Sequence, residues 1–340
     1  MRAVRKGLPM NAPNWIERNY RRMQARTFGQ LMRGASLRIW PLSHLVRVHY
    51  RHRLATPAWN SINNRARRNL QRQTPQLDAA QRAVLSALQR EGVHRTNVAG
   101  FLGNAVDLAQ VRIDAEALLE QPAAREQIAA RHSREGIKWY VVRAFGYRPR
   151  TPVPASFADL LLNERVLAVV NSYLGVTSRL KYLDVWLNLA VGESDPAIDS
   201  EFWHRDNEDR HLVKLFVHLS DVDVEAGPLT YIRGSQPGGP QGDLFPSDPP
   251  SGSYPPKRAL EAQISDSHLE VCTGGQGTMV WFDACGLHRG GRATGKPRML
   301  LVATYASDAA LDLLRYELAD AGQYDRLGAA ARYAVLGPKA

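Results

Sequence analysis

Strict alternation of apolar and polar positions begins only in the second half of the chain. Over residues 180–191, Leu183, Val185, Leu187 and Leu189 fall on one side, and Asp184, Trp186, Asn188 and Ala190 on the other. Over residues 211–219, Val213, Leu215, Val217 and Leu219 share one side, and Lys214, Phe216 and His218 the other. A period of two predicts half-buried strands. Residues 278–282 and 298–305, rich in Val, Leu and aromatic side chains, predict two more. Upstream, the period is helical. Asp78 can cap a helix reaching Arg90, with Ala80, Val84, Leu85 and Leu88 as its stripe and Gly92 as its stop. Residues 93–101 read as extended. Helices are predicted over 113–135, with Ala115, Leu118 and Leu119 inward, and over 156–174, from a Ser156 cap to a Gly175 stop. Helices followed by consecutive strands, without βαβ alternation, predict a mainly β fold: an antiparallel core with helices segregated to one side.

Residues 237–256 hold seven Pro and four Gly among 20 positions. Such a stretch within a β region predicts a long irregular loop, of the kind that forms lids and binding loops. The insertion is taken as 237–268. The expected division is a basic, partly helical arm over 1–76, a main domain over 77–307 and a helical tail over 308–340.

Charge separates the arm from the body. Residues 1–72 carry 16 Lys and Arg against one acid, Glu17, a net +15 in a chain whose total is +11, which leaves −4 for the rest. Over 14–33, Ile16, Tyr20, Met23 and Leu31 gather on one side of a helical wheel and Arg18, Arg22, Arg26 and Arg33 on the other. The segment reads either as a helix packed on the body with a solvated Arg face, or as a contact for an anionic membrane or acidic ligand. Nucleic acid is disfavoured, because no zinc-finger spacing, RNP-like aromatic run or helix-turn-helix accompanies the charge. Residues 60–74 read as a polar helix or linker. His44, His49 and His52 have no metal-site spacing and read as surface residues among Arg. No apolar run approaches the ~20 residues that span a bilayer. The basic N-terminus is not followed by a signal peptide's apolar core. With two cysteines, Cys272 and Cys285, the expected setting is cytoplasmic, with the arm as a peripheral contact on the inner membrane face.

The chemistry centres on Trp203-His204-Arg205-Asp206. A His and a carboxylate two positions apart point the same way from an extended chain. His288, 84 residues after His204, would complete two imidazoles and one carboxylate on one face of an octahedral metal. That donor set suits Fe(II) and leaves positions open. His-x-Asp alone is a common chance match, so the surrounding sequence matters. Asp221 to Gln236 follows a predicted strand, Gly274 to Phe282 leads to His288, and Arg298 heads another strand. An Arg fork there could hold the far carboxylate of a dicarboxylate bound at the metal.

With these motifs in order, the chain resembles the phytanoyl-CoA dioxygenase family of Fe(II)/2-oxoglutarate oxygenases over residues 77–307. The His-x-Asp is His204 to Asp206, the Gly-Pro-Leu and Gly-Ser segment is Asp221 to Gln236, and the Gly-rich approach to the distal His is Gly277 to Phe282. Arg233 and Gln236 stand where the family usually has Pro and His. The resemblance implies a double-stranded β-helix, or cupin-like jelly roll. It implies Fe(II) on His204, Asp206 and His288, with 2-oxoglutarate and O2 as cosubstrates. The expected reaction is hydroxylation of a small-molecule, acyl or lipid/glycan-linked substrate, with release of succinate and CO2. Related halogenases lack the carboxylate, so Asp206 argues for oxidation without halide. Arg298 is expected to hold the cosubstrate, with Asn188, Trp186, Lys214 and Thr294 as further contacts. His211 and His218 are expected to be structural or substrate-facing. Arg205 should face away from the metal and pair with Asp209 or Glu208. The competing expectation is a non-catalytic jelly-roll binding protein, docked by its arm on anionic lipid or an acidic polymer.

Overall fold

The structure, a computed structural model, describes residues 48–49, 51–130, 139–146, 151–191, 199–246, 254–311 and 313–339. The predicted helix over 14–33 and His44 lie outside these residues. His49 and His52 are both exposed.

Most of residues 60–74 is helical: α1 (Thr56–Ile62) and α2 (Asn64–Arg72) meet at Asn63. They do not stand off the body. Ala66 is fully buried in the main core, Thr177 donates its N–H to the Ala66 carbonyl, and the Trp59 indole donates to Asp209. Packing therefore continues across the charge boundary drawn in the sequence. α3 (Ala79–Glu91) starts in a capping box between Asp78 and Gln81 and ends at Gly92, whose φ of 75° suits a residue without Cβ. Its buried positions are Gln81, Val84, Ala87 and Leu88, while Ala80 is exposed. Gln81 lies inside because its amide closes the cap and donates to the Arg165 carbonyl.

The extended segment after Gly92 is shorter than predicted. β1 (Val93–Asn97) gives way to α4 (Val98–Leu102), where the Asn97 side chain accepts from the Gly100 N–H. The helix expected over 113–135 begins earlier and breaks. Asp107 caps α5 (Leu108–Leu119), and α6 (Pro122–Ala130) restarts at a proline, which fits only the first turn. The helix expected over 156–174 is also two, α7 (Ala155–Leu161) and α8 (Glu164–Leu174), with Asn163 capping the second. Ser156 is not a cap; its hydroxyl donates to Asp114. Gly175, at φ 67°, stops α8 as expected.

β2 (Val141–Arg143), β3 (Arg179–Asn188), β4 (Val213–His218), β7 (Thr278–Asp283) and β9 (Arg298–Ala306) join β1 in a six-stranded antiparallel sheet, ordered β1-β7-β4-β9-β3-β2. β5 (Leu229–Ile232), β6 (Leu269–Val271) and β8 (His288–Gly290) form a second, ordered β6-β5-β8. After β4 the chain passes to the small sheet for β5 and β6, returns for β7, crosses for β8 and returns for β9. That path is a double-stranded β-helix. The alternation sorts the layers as the sequence predicted. Val213, Leu215 and Val217 pack with the helices in the main core, while Phe216, Val280, Leu300 and Val302 form the core between the sheets. A bulge at Lys181 shifts the β3/β9 register and brings both Lys181 and Tyr182 to the cavity side. α9 (Ala329–Leu336) closes the helical layer against β3.

Candidate metal centre

His204 and His288 face each other as an antiparallel hydrogen-bonded pair, each N–H donating to the other's carbonyl at 3.0 Å. The expected strand around His204 is reduced to this single bridge. It suffices to set both imidazoles on one side, with ring centroids 4.3 Å apart. The Asp206 N–H donates to the Ala284 carbonyl at 2.8 Å, which fixes Asp206, the third candidate ligand, against the same turn. One ligating atom from each of His204, Asp206 and His288 lies within 4.8 Å of the others.

The imidazoles are oriented from behind. His204 Nδ1 meets the Phe202 carbonyl at 2.8 Å and His288 Nδ1 meets the Gly286 carbonyl at 3.0 Å. A carbonyl only accepts, so each Nδ1 carries the proton and each Nε2 lone pair is left for a metal. Burial and the neighbouring His204 push His288 down to about 3, so its ring is neutral at physiological pH. Burial opposes ionisation of Asp206, but Lys214 and the two histidines hold its carboxyl below the usual range. Two imidazoles and a carboxylate make a donor set that fits Fe(II).

The turn carrying His288 is held by a buried carboxylate that sequence reasoning missed. Asp283 Oδ1 accepts from the Leu212 and Cys285 N–H groups, Oδ2 accepts from the Tyr173 hydroxyl, and the His211 ring lies 2.6 Å from Oδ2. Gly286 lies so close to the Tyr231 hydroxyl that a Cβ would collide with it. His211 is thus structural. Burial opposes its charging, but Asp283 outweighs this and raises its pKa. A raised histidine adds stability that is complete below ~6.5 and fades as pH rises through its folded value. Thermal unfolding of wild type and His211→Gln is therefore expected to differ most near pH 5.5. The gap should shrink towards pH 8.5.

The triad opens into a cavity of about 360 Å³ between the sheets. Arg298 lies at the strand end of β9, directly opposite Asn188 on β3, and both line the cavity. Arg298 Nη1 donates to the Ala226 carbonyl at 3.0 Å. Its buried Nε and the buried Asn188 Oδ1 have no partner among the described residues. Buried polar atoms left unmatched cost about 1–3 kcal/mol each, so this end of the cavity is built for a polar ligand. Burial lowers Arg298 to about 10, which still leaves it charged at neutral pH.

The other expected contacts divide. Trp186 lines the cavity as a ring wall, edge-on to Phe216 at 5.6 Å, with its Nε1 donating to the Tyr182 hydroxyl. Lys214 lines it too, but its ammonium pairs with Asp206 at the metal end. Its sheet partner is Thr304, six residues or ~20 Å along β9 from Arg298. Thr294 does not reach the cavity. The β8–β9 connection turns on Glu225, whose carbonyl accepts from the Thr294 and Gly295 N–H groups, and the Thr294 side chain is exposed. His218 faces the cavity, and burial depresses it to about 4. Arg205 faces away from the metal as expected, but its partners are backbone carbonyls rather than Asp209 or Glu208.

Unforeseen cavity residues come from the loops. Tyr254 stacks on the His204 ring at 5.6 Å and 16°. Glu201, two residues before Trp203, accepts from Tyr140 at 2.7 Å and is forked by Arg292 at 2.6 and 3.1 Å. None of these partners is close in sequence, so no spacing signal reveals them.

The phytanoyl-CoA dioxygenase (PhyH) family model matches residues 151–300. No curated protein matches the chain in sequence. Among solved structures, the epimerase SnoN in complex with Fe3+, alpha ketoglutarate and nogalamycin RO is 18% identical, over 71% of this chain and 95% of that one, with a TM-score of 0.47. EctD from S. alaskensis with 2-oxoglutarate and 5-hydroxyectoine is 19% identical, over 72% and 86%, with a TM-score of 0.47. AviO1 from Streptomyces viridochromogenes Tue57 is 20% identical, over 71% and 100%, with a TM-score of 0.44. The matched residues 151–300 carry His204, Asp206, His288 and Arg298, so the likeness to the phytanoyl-CoA dioxygenase (PhyH) family covers the candidate site.

Proposed function

We propose that the protein is an Fe(II)- and 2-oxoglutarate-dependent dioxygenase that hydroxylates a small-molecule, acyl or lipid/glycan-linked substrate. The observation that carries this reading is one cavity with two matched ends. At one end three ligating atoms converge, and at the other a buried Arg298 donor and Asn188 acceptor stand unmatched. Bound iron, 2-oxoglutarate and O2 would supply the oxidant for a substrate C–H bond, with succinate and CO2 released. His204, Asp206 and His288 hold the metal. Arg298 binds the cosubstrate's far carboxylate, and Asn188 stands opposite it on β3 at the same end of the cavity. Trp186 and Phe216 wall the cavity and keep water from it. Anaerobic titration of the protein with Fe(II) and 2-oxoglutarate tests this. One Fe(II) per chain is expected, and failure to bind it would favour the non-catalytic binding protein.

The basic segment is proposed to bring the enzyme to an anionic lipid surface. Arg65, Arg67, Arg68 and Arg72 on α2 are exposed, while its Ala66 side is buried. No helix among the described residues is long and apolar enough to cross a membrane. Each cation near an anionic surface contributes about 1 kcal/mol. Replacing Arg65, Arg68 and Arg72 by Gln should therefore weaken sedimentation with phosphatidylglycerol vesicles by roughly 100-fold. Unchanged binding would dismiss the contact. Deleting all of residues 1–72 is a poor test, because it strips α1 and α2 from the core.

A further inference from the structure

Arg205 lies between two of the proposed metal ligands, points away from them, and is almost fully buried. A guanidinium offers five N–H donors, and here each meets a backbone carbonyl. Nε donates to Phe245 at 3.1 Å. Nη1 donates to Ser235 and, at 2.7 Å, to Cys285. Nη2 donates to Leu244 at 2.7 Å and Gly242 at 3.3 Å. Three segments meet on one side chain: its own His204–Asp206 segment, the turn that leads to His288, and the Ser235–Phe245 stretch that opens the Pro/Gly loop. Phe245, one of the five acceptors, has a φ of 44°. It is the one non-glycine in that left-handed region among the described residues, and a bulky side chain there is strained. Such strain persists only where the surroundings over-determine it. At the far end of the same loop, Tyr254 lies stacked on His204.

We infer that Arg205 is a positioning residue that clamps the loop around Gly242–Phe245 to both proposed ligand-bearing segments, so that the placement of that loop and the metal geometry are set by one side chain. The inference about metal geometry rests on the proposed metal centre, whereas the loop clamp does not. A lysine at this place keeps the charge but has only three donors on a single nitrogen, so it cannot span the five carbonyls.

The experiment compares wild type, Arg205→Lys and Val169→Ala, a control in the buried core of α8. Limited proteolysis of the metal-free full-length chain reads the loop, with cut sites located by mass spectrometry. Titration with Co(II) and its visible d–d bands reads the ligand geometry. Arg205→Lys is expected to speed cleavage within 237–256 at least about tenfold. It should also weaken Co(II) binding by about 10–100-fold, the usual cost of losing an outer-shell partner, and change the band intensity. Val169→Ala should leave the loop and the bands as in wild type even where it lowers the melting temperature. Cleavage spread over the whole chain, or a loop as resistant as wild type in folded Arg205→Lys, overturns the clamp. Unchanged Co(II) bands and affinity overturn the link to the ligands. If wild type binds no Co(II), the metal centre and that link both fall, and the cleavage sites alone judge the clamp. If Arg205→Lys does not fold, hydrogen exchange of wild type decides. The Gly242 and Leu244 amides, which donate to the Gly239 and Gln241 carbonyls, should exchange slowly. Exchange at the rate of an unstructured loop would overturn the inference.

Discussion

His288→Ala and Asp206→Ala should each lower Fe(II) affinity by more than about 100-fold, beyond the 10–100-fold typical of losing an outer-shell partner, and abolish succinate formation. The two variants should fail differently. In His288→Ala the Gly286 carbonyl loses its Nδ1–H donor, but no new charge faces the metal. In Asp206→Ala the Lys214 ammonium loses its carboxylate while remaining at the metal end of the cavity. A cation there repels a divalent ion, so Asp206→Ala should bind Fe(II) more weakly than His288→Ala. Removing Lys214 in the same background, as Asp206→Ala with Lys214→Met, should recover part of the difference. Val169→Ala, in the buried core of α8, is the control: it should keep Fe(II) affinity within about threefold, well short of even an outer-shell loss. Isothermal titration under anaerobic conditions and succinate assay measure both. Triad variants that bind Fe(II) and form succinate like wild type would defeat the assignment.

What the sequence made legible follows from short-range physics. A period of two cannot be hidden, so the two faces of β4 were readable before any fold was known: Val213, Leu215 and Val217 against the helices, Lys214, Phe216 and His218 towards the cavity. The triad was readable because His204 and Asp206 need only an extended backbone between them. The helix breaks at Pro122 and Asn163 were harder, since apolar spacing runs on through both while the backbone does not. The bulge at Lys181 was invisible, because an extra residue in one strand shows only against its partner. Arg205 was misread for a related reason. In sequence its nearest acids apart from Asp206, the proposed ligand, are Glu208 and Asp209, but in the fold five carbonyls converge on it from 30 to 80 positions away. Asp209 is already engaged by Trp59 and by the Ser307 N–H, and Glu208 by Lys181. Thr294 failed as a site residue because the hydrogen bonds to Glu225 turn its loop outward.

Arg298→Ala should raise the KM for 2-oxoglutarate by roughly 30-fold or more, while kcat at saturating cosubstrate falls far less. Removing one partner of a buried, hydrogen-bonded charge pair costs about 2–5 kcal/mol, and each 1.4 kcal/mol is about tenfold in affinity. The arginine does not touch the metal ligands, so the loss should fall on binding common to ground and transition states, which raises KM and spares kcat. Arg298→Lys should recover little. One nitrogen cannot satisfy the Ala226 carbonyl and also grip a carboxylate through two N–H groups. The cosubstrate itself offers the sharper test. 2-Oxobutyrate keeps the keto acid that would meet the metal but lacks the far carboxylate. Wild type should prefer 2-oxoglutarate strongly, and Arg298→Ala should prefer it hardly at all. Free guanidinium should restore part of the preference in Arg298→Ala and none in Arg298→Lys, whose side chain still fills the site. A preference that survives the loss of Arg298 would mean that another cation holds the carboxylate. The first to examine would be Lys214, which the sheet register sets ~20 Å away.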